Sequence, residues 1–463
     1  MAGSVTRSQS KRKKAKLSND KDIVVDRISN LPDSLLCYIL SFLPTKEAVG
    51  TSILSNRWKP LWTLVPKLDL DEVNIKYKPL THIVYRILAL HIAPFLKKFS
   101  LRIKCGAREY FHVETCIYTA MMRNLQQLQL EIVLNNYTEE PFRFPHRFFS
   151  CKTLVVLELR ERIEIDLPSS FEFPSLKILS LIRVCYSDDD CFSRLISSCP
   201  VLEDLSFEKA GIPISKFKIC VPTLKRLRMK FRKVDYELVI DAPALDYFEF
   251  QGDLRNFNFL KEVTKLVEAH VDIKAVDSYD NRRIGNERGY EIGYGDRVFR
   301  LVKELHNAKF LSLSPGDKEC LDFRSIYPSI FKNLVRLNFG LERCNWHVLQ
   351  ALLQVAPNLE VLVVKKSYNG ENKLGWMEPL HGPTPSYTPG YLLSHLTTFN
   401  FHQFEGSDRE VEFVKYILKE ARVLKTLTIK VTGKLLKESV LQKLSMFPRH
   451  SATCLFTVES IYC

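Results

Sequence analysis

Long apolar runs and secretion signals are the first features that this sequence of 463 residues lacks. No uninterrupted apolar stretch approaches the roughly 18 residues that a bilayer-spanning helix needs. The nearest candidate, Ile83 to Leu96, contains Arg86 and His91, so we expect a soluble amphipathic helix there. The N-terminus also shows no apolar core of a secretory signal. These absences predict a protein without a membrane partner.

Catalytic and metal-binding motifs are absent as well. The sequence has no H-E-x-x-H, no G-x-S-x-G and no C-x-x-C pair. The glycines between Asn281 and Arg297 are spread too evenly for a phosphate-binding loop and predict an exposed loop. Cys185, Cys191 and Cys199 could suggest zinc, but Cys199 lies on an apolar helical stripe, which favours packing. We therefore expect no catalytic residue, no metal site and no cofactor.

The twelve cysteines are scattered along the chain, and several occupy apolar positions of periodic segments. This pattern is typical of small buried side chains rather than of a disulfide framework. It predicts reduced core thiols in an intracellular protein.

Positive charge is concentrated at the N-terminus. Residues 1–21 hold seven Lys or Arg against Asp20, which is +6 of the net +14, and the other 442 residues carry +8. Residues 1–25 are polar and predict a disordered basic tail. Their SKRKKAK core suits a nuclear import signal, and a solvated charged tail explains it equally well. The expected location is the nucleus, the cytoplasm or both.

The segment from Asp26 to Trp62 is unusually apolar for its length. A helix is predicted after Pro32, and an apolar stripe at spacing i, i+3, i+4 and i+7 runs along it. A unit of about 40 residues seldom buries such a stripe by itself. The segment therefore predicts a docking face, with a helical hairpin buried against the rest of the chain as the alternative.

The same segment resembles an F-box of the form common in plant proteins. The resemblance rests on Leu31-Pro32, the run from Ile39 to Pro44, the run from Leu54 to Trp58, and Leu61-Trp62. It implies a three-helix F-box over residues 26–70 that binds a SKP-type adaptor and, through it, cullin and RING subunits of a ubiquitin ligase. The implied adaptor-binding residues are Leu31, Pro32, Leu36, Ile39, Leu40, Leu43, Pro44, Trp58 and Trp62.

A repeat fills the middle of the chain. The pattern apolar-x-x-apolar-x-apolar opens at Leu96, Leu125, Leu154, Leu176, Leu202, Leu224, Leu245, Leu266, Ala308, Leu334, Leu359, Leu396 and Leu424. Most intervals fall in the range of about 20–29 residues that leucine-rich repeats show. Three copies are preceded by a helical apolar stripe, and the shorter units are expected to return through irregular segments. Residues 71–375 therefore predict an irregular leucine-rich-repeat solenoid.

The last part of the chain resembles the FBD module of plant proteins. The resemblance rests on Trp376 and Pro379, the strand from Leu392 to Phe401, the helix from Glu410 to Ala421, and FPRHSATC. A Pro-rich stretch after Trp376 predicts a linker and a boundary, so residues 376–463 are assigned to this module. The expected fold is α/β, with an N-terminal F-box, a solenoid and a C-terminal α/β FBD module.

The inner face of the solenoid can be derived from strand periodicity. Side chains beside the two buried positions of each strand point to the opposite, concave face. These positions hold nine basic and seven acidic residues, so the face is nearly balanced, which argues against a nucleic-acid groove. Arg226, Arg228 and Lys230 on one strand, with Tyr247 beside them, predict an anchor for an acidic or phosphorylated group. The alternative to an anchor is a solvated strand on which Asp204, Glu208 and Glu249 balance the charges of these basic side chains.

The expected function follows from the resemblance. It implies a non-catalytic substrate-recognition subunit of a SKP–cullin–F-box ubiquitin ligase, which recruits a target protein that the sequence does not identify. A scaffold or transcription-associated interaction protein outside the ligase is the alternative.

Overall fold

The structure is a computed structural model in which the chain forms two compact units, residues 1–65 and 66–463. It describes residues 27–28, 30–71, 81–134, 140–209, 216–231, 237–252, 254, 257–259, 263–273, 294–315, 331–342, 345–366, 393–432 and 437–460. The predicted basic tail, the glycine-containing loop up to residue 293 and the Pro-rich stretch after Trp376 lie outside these residues.

The first unit consists of short helices. Helix α1 (Asp33–Leu40) begins after Pro32, and α2 (Thr45–Gly50) begins after Pro44. Both prolines have extended backbone angles, which suits the residue before a helix. Two 3₁₀ turns, Thr51–Ile53 and Leu61–Leu64, stand where the third helix was expected.

The second unit is built on one parallel sheet of fifteen strands, joined in the order of the chain. Its strands are β1 (Lys67–Asp71), β2 (Lys98–Cys105), β3 (Gln127–Leu134), β5 (Val156–Arg160), β7 (Ile178–Ile182), β9 (Asp204–Glu208), β11 (Arg226–Lys230), β13 (Tyr247–Gly252), β15 (Glu268–Ile273), β16 (Phe310–Ser314), β17 (Arg336–Leu341), β18 (Val361–Lys366), β19 (Thr398–Phe404), β20 (Thr426–Val431) and β21 (Leu455–Ser460).

All thirteen predicted repeats contribute a strand to this sheet, each beginning two residues after the opening apolar residue. The thirteen opening side chains are between 0% and 2% exposed. Two strands of this large sheet, β1 and β21, were not predicted. Val65, Leu68 and Leu70 repeat the pattern at β1, whereas Thr453 occupies the corresponding opening position before β21. Because its opening residue is polar, the last repeat does not show the apolar pattern that predicted the others.

The segments between the sheet strands form helices and short strands. The helices are α3 (Thr81–Leu90), α4 (Tyr110–Met121), α5 (Cys191–Ser197), α6 (Tyr294–Glu304), α7 (Trp346–Val355), α8 (Asp408–Glu420) and α9 (Lys437–Ser445). The short strands are β4 (Phe142–Arg143), β6 (Ile163–Ile165), β8 (Cys185–Tyr186), β10 (Lys216–Cys220), β12 (Glu237–Asp241) and β14 (Phe257–Phe259). They form two further parallel sheets of three strands.

These short strands correct one expectation, because the shorter repeats do not return through irregular segments. Phe217 and Ile219 of β10 are buried, and parallel pairing with β12 satisfies the backbone there. The predicted amphipathic helix ends at Leu90, earlier than expected, while His91 next to it is buried. None of the helices in the described part of the chain combines the length and apolar character that a bilayer span requires.

The core lies between the large sheet and the returning segments. Strands alternate buried and half-buried residues, as β7 and β16 show. Aromatic rings pack against one another in the middle repeats. Phe207 stacks on Phe217 with 5.5 Å between the ring centres, and both rings contact Phe231 edge to face. Such pairs add about 0.5–1.5 kcal/mol each beyond the burial of their area.

The sheet continues across the predicted boundary after Trp376. Strand β18 pairs directly with β19 in parallel, with Val361 opposite Thr398, and β20 and β21 follow in the same sheet. The segment that resembles an FBD module therefore forms the last turns of the solenoid within the second unit. The Pro-rich stretch is an insertion between two paired strands.

A buried ion pair joins β18 to the first turn of α8. Lys366 Nζ lies 2.9 Å from Glu410 Oε1, and their side chains are 5% and 2% exposed. Lys366 also contacts Glu405, and Glu410 Oε2 accepts hydrogen bonds from the backbone N–H of Glu405 and Ser407 at 3.0 Å. Because every partner is paired, the cost of burying these charges is compensated.

We expect Lys366→Met to destabilise the second unit by about 3–5 kcal/mol, since it leaves the Glu410 carboxylate buried and unpaired. Urea denaturation followed by circular dichroism measures the loss. Lys365→Met is the matched control, because Lys365 precedes it on the same strand and is exposed. Equal stability of the two variants would contradict the assigned role of the pair.

The buried thiols lead to a second prediction. Burial raises the pKa of Cys116 to about 12 and that of Cys199 to about 12, so both stay protonated at about pH 8. We expect iodoacetamide to modify exposed Cys220 in the native protein and to reach Cys116 and Cys199 only in urea. Peptide mass spectrometry reads the sites, and native labelling of Cys116 as fast as that of Cys220 would contradict the assignment.

Candidate functional site

The interior of the first unit is formed by side chains from both helices, from the second 3₁₀ turn and from the segment just before that turn. Leu36 and Leu40 of α1 are 0% and 1% exposed, and Trp58 and Trp62 are 3% and 9% exposed. Arg57 Nη2 donates to Asp33 Oδ1 at 2.7 Å, which links the segment before Trp58 to the first turn of α1. This small unit thus buries one apolar stripe of its own.

This burial changes the interpretation of the predicted adaptor-binding residues. Leu36, Leu40, Trp58 and Trp62 lie inside the unit, where their side chains stabilise it and are not presented to a partner. The other predicted residues keep accessible surface: Pro32, Ile39 and Pro44 are exposed, and Leu31 and Leu43 are half-buried. Contact of these five with an adaptor stays a prediction.

A second set of apolar side chains, of which the sequence prediction included only Ile39, faces solvent. We name it the docking face; it consists of Leu35, Tyr38, Ile39, Phe42, Ile53 and Leu54. Ile53 is 90% exposed, Phe42 68% and Tyr38 63%. The rings of Tyr38 and Phe42 meet edge to face at 5.0 Å, so they present a joined surface.

A signal for the docking face was present in the sequence. Leu35, Tyr38, Ile39 and Phe42 repeat the spacing i, i+3, i+4 and i+7, one residue out of phase with the buried pair. A helix whose apolar surface extends beyond its buried stripe needs a partner to cover the rest. Large side chains this exposed on one small unit therefore indicate a protein-docking surface.

The second surface is the inner face of the large sheet, formed by the residues that alternate with the buried positions. Parallel registers bring these residues into rows, such as Ser206, Arg228 and Glu249 on adjacent strands. Cross-strand ion pairs join some of them: Arg102 contacts Glu131 at 2.8 Å and Asp71 at 3.3 Å. The alternation that defined this face in the sequence is confirmed.

The predicted basic anchor is brought together on this face but is largely neutralised. Arg226 Nε lies 2.8 Å from Asp204 Oδ2, and Arg228 Nη1 lies 2.9 Å from Oδ1 of the same carboxylate, which is 10% exposed. The hydrogen bond to Asp204 raises the pKa of Arg226. One carboxylate therefore holds two guanidinium groups, and this pairing favours the alternative of a balanced strand.

Tyr247 lies beside this pair and is also occupied. The Arg228 guanidinium stacks over its ring at 4.9 Å, and its hydroxyl donates to Glu249 Oε2 at 2.9 Å. Burial, followed by the contact with Glu249, raises the pKa of Tyr247 to about 12. Lys230, the fourth predicted residue, is half-buried between Glu208 and Gln251 in register.

The cysteine trio of the middle repeats is packed as thiols. Cys191 Sγ donates to the Ile165 carbonyl at 3.3 Å and Cys199 Sγ to the Leu195 carbonyl at 3.2 Å. Burial raises the pKa of Cys191 to about 11, which disfavours the thiolate that metals and electrophiles require. In the described ranges, no group of three or more His, Cys, Asp or Glu is placed to hold a metal ion.

Comparisons with known proteins match this architecture in three places. An F-box domain model matches residues 28–70, and an FBD model matches residues 384–429. A model described as "FBD-associated F-box protein At5g56370, LRR repeats" matches residues 113–263. The FBD match covers β19, α8 and the first part of β20.

Two Arabidopsis thaliana proteins are similar over most of their length. F-box/FBD/LRR-repeat protein At4g00160 is 35% identical over 87% of this chain and 86% of its own. F-box/FBD/LRR-repeat protein At5g56420 is 34% identical over 93% of this chain and 98% of its own. With its F-box, its repeat solenoid and its FBD segment in the same order, this chain belongs to the plant family of F-box/FBD/LRR-repeat proteins.

Proposed function

We propose that this F-box protein is the substrate-recognition subunit of a SKP–cullin–F-box ubiquitin ligase. The single observation that carries the proposal is the docking face, a group of large apolar side chains left exposed on a compact unit that already has its own core. Such a surface has the composition expected of a protein interface. The adaptor would cover Phe42 and Ile53.

The mechanism we propose is recruitment rather than chemistry. The first unit would bind the adaptor, and the solenoid would bind a target protein. Holding the target near the ubiquitin-carrying enzyme raises the effective concentration of its lysines. No residue of this chain takes part in bond making, and no cofactor is invoked.

The cellular location is part of the same proposal. A soluble ligase receptor of this kind would act in the nucleus, the cytoplasm or both, and the basic run within residues 1–21 supports nuclear import. A scaffold that binds the adaptor without cullin is the second candidate, since the docking face would look the same in that case.

Phe42→Asp and Ile53→Asp should each weaken adaptor binding roughly 100-fold, because each places a charge in the centre of an apolar interface. Isothermal titration calorimetry with a purified plant SKP-type adaptor measures the affinity. The fold should be retained, since Phe42 and Ile53 are 68% and 90% exposed.

Two variants sharpen this test. Phe111→Asp is the matched control, because Phe111 is 71% exposed but lies in the second unit, on α4; its adaptor affinity should not change. Leu36→Asp should instead unfold the first unit, because Leu36 is fully buried. Normal adaptor binding by both Phe42→Asp and Ile53→Asp would show that the docking face is assigned wrongly.

Reconstitution of the complex distinguishes between the two candidate functions, ligase subunit and scaffold. We expect the complex of this chain and the adaptor to bind cullin and RING subunits in size-exclusion chromatography, and the Phe42→Asp variant to be absent from that complex. A stable complex with the adaptor that excludes cullin would favour the scaffold.

A further inference from the structure

The charges on the inner face of the sheet are divided unequally along the solenoid. On the nine strands from β1 to β15, inner positions hold nine carboxylates: Asp69, Asp71, Glu131, Glu158, Asp204, Glu208, Glu249, Glu268 and Asp272. On the five strands from β16 to β20, inner positions hold no carboxylate but include Arg336, Lys365 and Lys430. We name the inner positions of β16–β20 the acid-free face.

The acid-free face begins at the end of a stack of side chains that crosses five strands. Arg228 lies over Tyr247, Tyr247 contacts His270 at 5.4 Å, and His270 contacts Phe310 at 5.0 Å. The Arg336 guanidinium closes the stack, 5.7 Å from the centre of the Phe310 ring. The stack therefore contains three aromatic rings, those of Tyr247, His270 and Phe310, and ends in an arginine on either side.

The two arginines of this stack differ in their electrostatic surroundings. Arg228 is held by Asp204 at 2.9 Å and approaches Glu249 at 3.8 Å. Arg336 is exposed and, within the part of the chain that the structure describes, makes no ion pair. Its guanidinium lies against the ring of Phe310, and none of the described carboxylates pairs with it. A guanidinium in this position suits a carboxylate of a partner.

A row of basic side chains continues along the same face. Lys365, His402 and Lys430 occupy paired positions on β18, β19 and β20. Burial, then the charges of Lys430 and Lys365, lower the pKa of His402, which reflects how close these groups lie. Glu459 on β21 approaches Lys430 at 3.5 Å, and it marks the limit of the face on that side.

Polar hydrogen-bonding groups fill the positions between the charges. Asn400, Thr426 and Thr428 are half-buried on the same face, beside the apolar Val361 and Val363. Positive charge, amide and hydroxyl donors, and a small apolar area together match an acidic chain in extended conformation. A uniformly basic groove with many aromatics, as single-stranded nucleic acids need, is not present here.

We propose that the acid-free face is where the target protein binds, through an extended segment rich in Asp or Glu whose carboxylate pairs with Arg336. This inference rests on the proposed receptor function and names the chemistry of the target. Five strands about 4.8 Å apart span about 19 Å, which about six extended residues cover. The inner positions of the first nine strands hold basic side chains beside their nine carboxylates, so they would attract the same segment less than the acid-free face does.

The test uses the full-length chain and a fluorescein-labelled peptide of about eight residues in which glutamate alternates with serine. Fluorescence anisotropy compares it with the peptide that has glutamine in place of glutamate. We expect the acidic peptide to bind more tightly, and its affinity to fall as salt is added. Equal binding of the two peptides would overturn the proposal.

Arg336→Gln should weaken binding of the acidic peptide at least about tenfold, the usual effect of removing a hydrogen bond to a charged group. Arg336→Lys should recover only part of this loss, because lysine keeps the charge but not the planar fork. Lys98→Gln is the control, since Lys98 lies on the inner face of β2, opposite Lys67 and outside the acid-free face. Equal weakening by Lys98→Gln and Arg336→Gln would mean a non-specific attraction to a basic protein and would overturn the proposal.

Adaptor binding is measured on the same variants. We expect Arg336→Gln to bind the adaptor normally, because Arg336 lies far along the chain from the docking face. Loss of peptide binding with a retained adaptor would support the acid-free face alone. A wild-type chain that binds the acidic peptide but no adaptor would overturn the receptor function, while the peptide site itself would stand.

Discussion

Every repeat of this solenoid has an apolar edge that it cannot bury by itself. The opening residue of each repeat, Leu176 or Leu334 for example, is fully buried only because the strands before and after it are in place. Stability of such an array depends on contacts between neighbours, and both ends need closure. The sheet therefore has to run without interruption from β1 to β21, and the rest of the molecule follows from that requirement.

This requirement explains the form of the C-terminal segment. Its first strand, β19, pairs with β18 in parallel, and β20 and β21 follow in the same sheet. The buried Lys366–Glu410 pair holds the start of α8 against the last strand before the insertion. The strands of the FBD segment thus continue the sheet of the solenoid. The segment extends the inner face by three strands, two of which, β19 and β20, contribute His402 and Lys430 to the acid-free face.

The two candidate surfaces have opposite chemistry, which suits two different partners. The docking face is apolar and lies on a small unit with its own interior, so its exposure carries no cost in stability for the solenoid. The inner face is polar, and ion pairs such as Arg226–Asp204 satisfy charge locally in its first part. The five strands β16–β20 keep positive charge without inner carboxylates of their own. A receptor needs such a division, since adaptor and target must bind at the same time.

Much of the architecture could be predicted from the sequence, because it depends on local periodicity. Thirteen repeats, the helix after Pro32 and the α/β class follow from spacing alone, since a strand alternates with period two and a helix with period 3.6. Spacing did not predict the repeat at β21, where Thr453 stands in place of an apolar opening residue. It also did not predict the short strands such as β10, for which irregular segments were expected. Neither feature changes the periodicity on which the prediction relied.

The sequence by itself determined which side chains are apolar, which are charged and how they alternate. The tertiary structure decided which of two apolar stripes on α1 is buried, because the turn Leu61–Leu64 packs on α1 and Leu36 and Leu40 are internal. It also decided which arginines keep their charge available. Asp204 lies 22 and 24 positions before Arg226 and Arg228, and only parallel pairing of β9 with β11 brings that carboxylate to them. Ion pairs form between neighbours in space, and a single sequence states only neighbours along the chain.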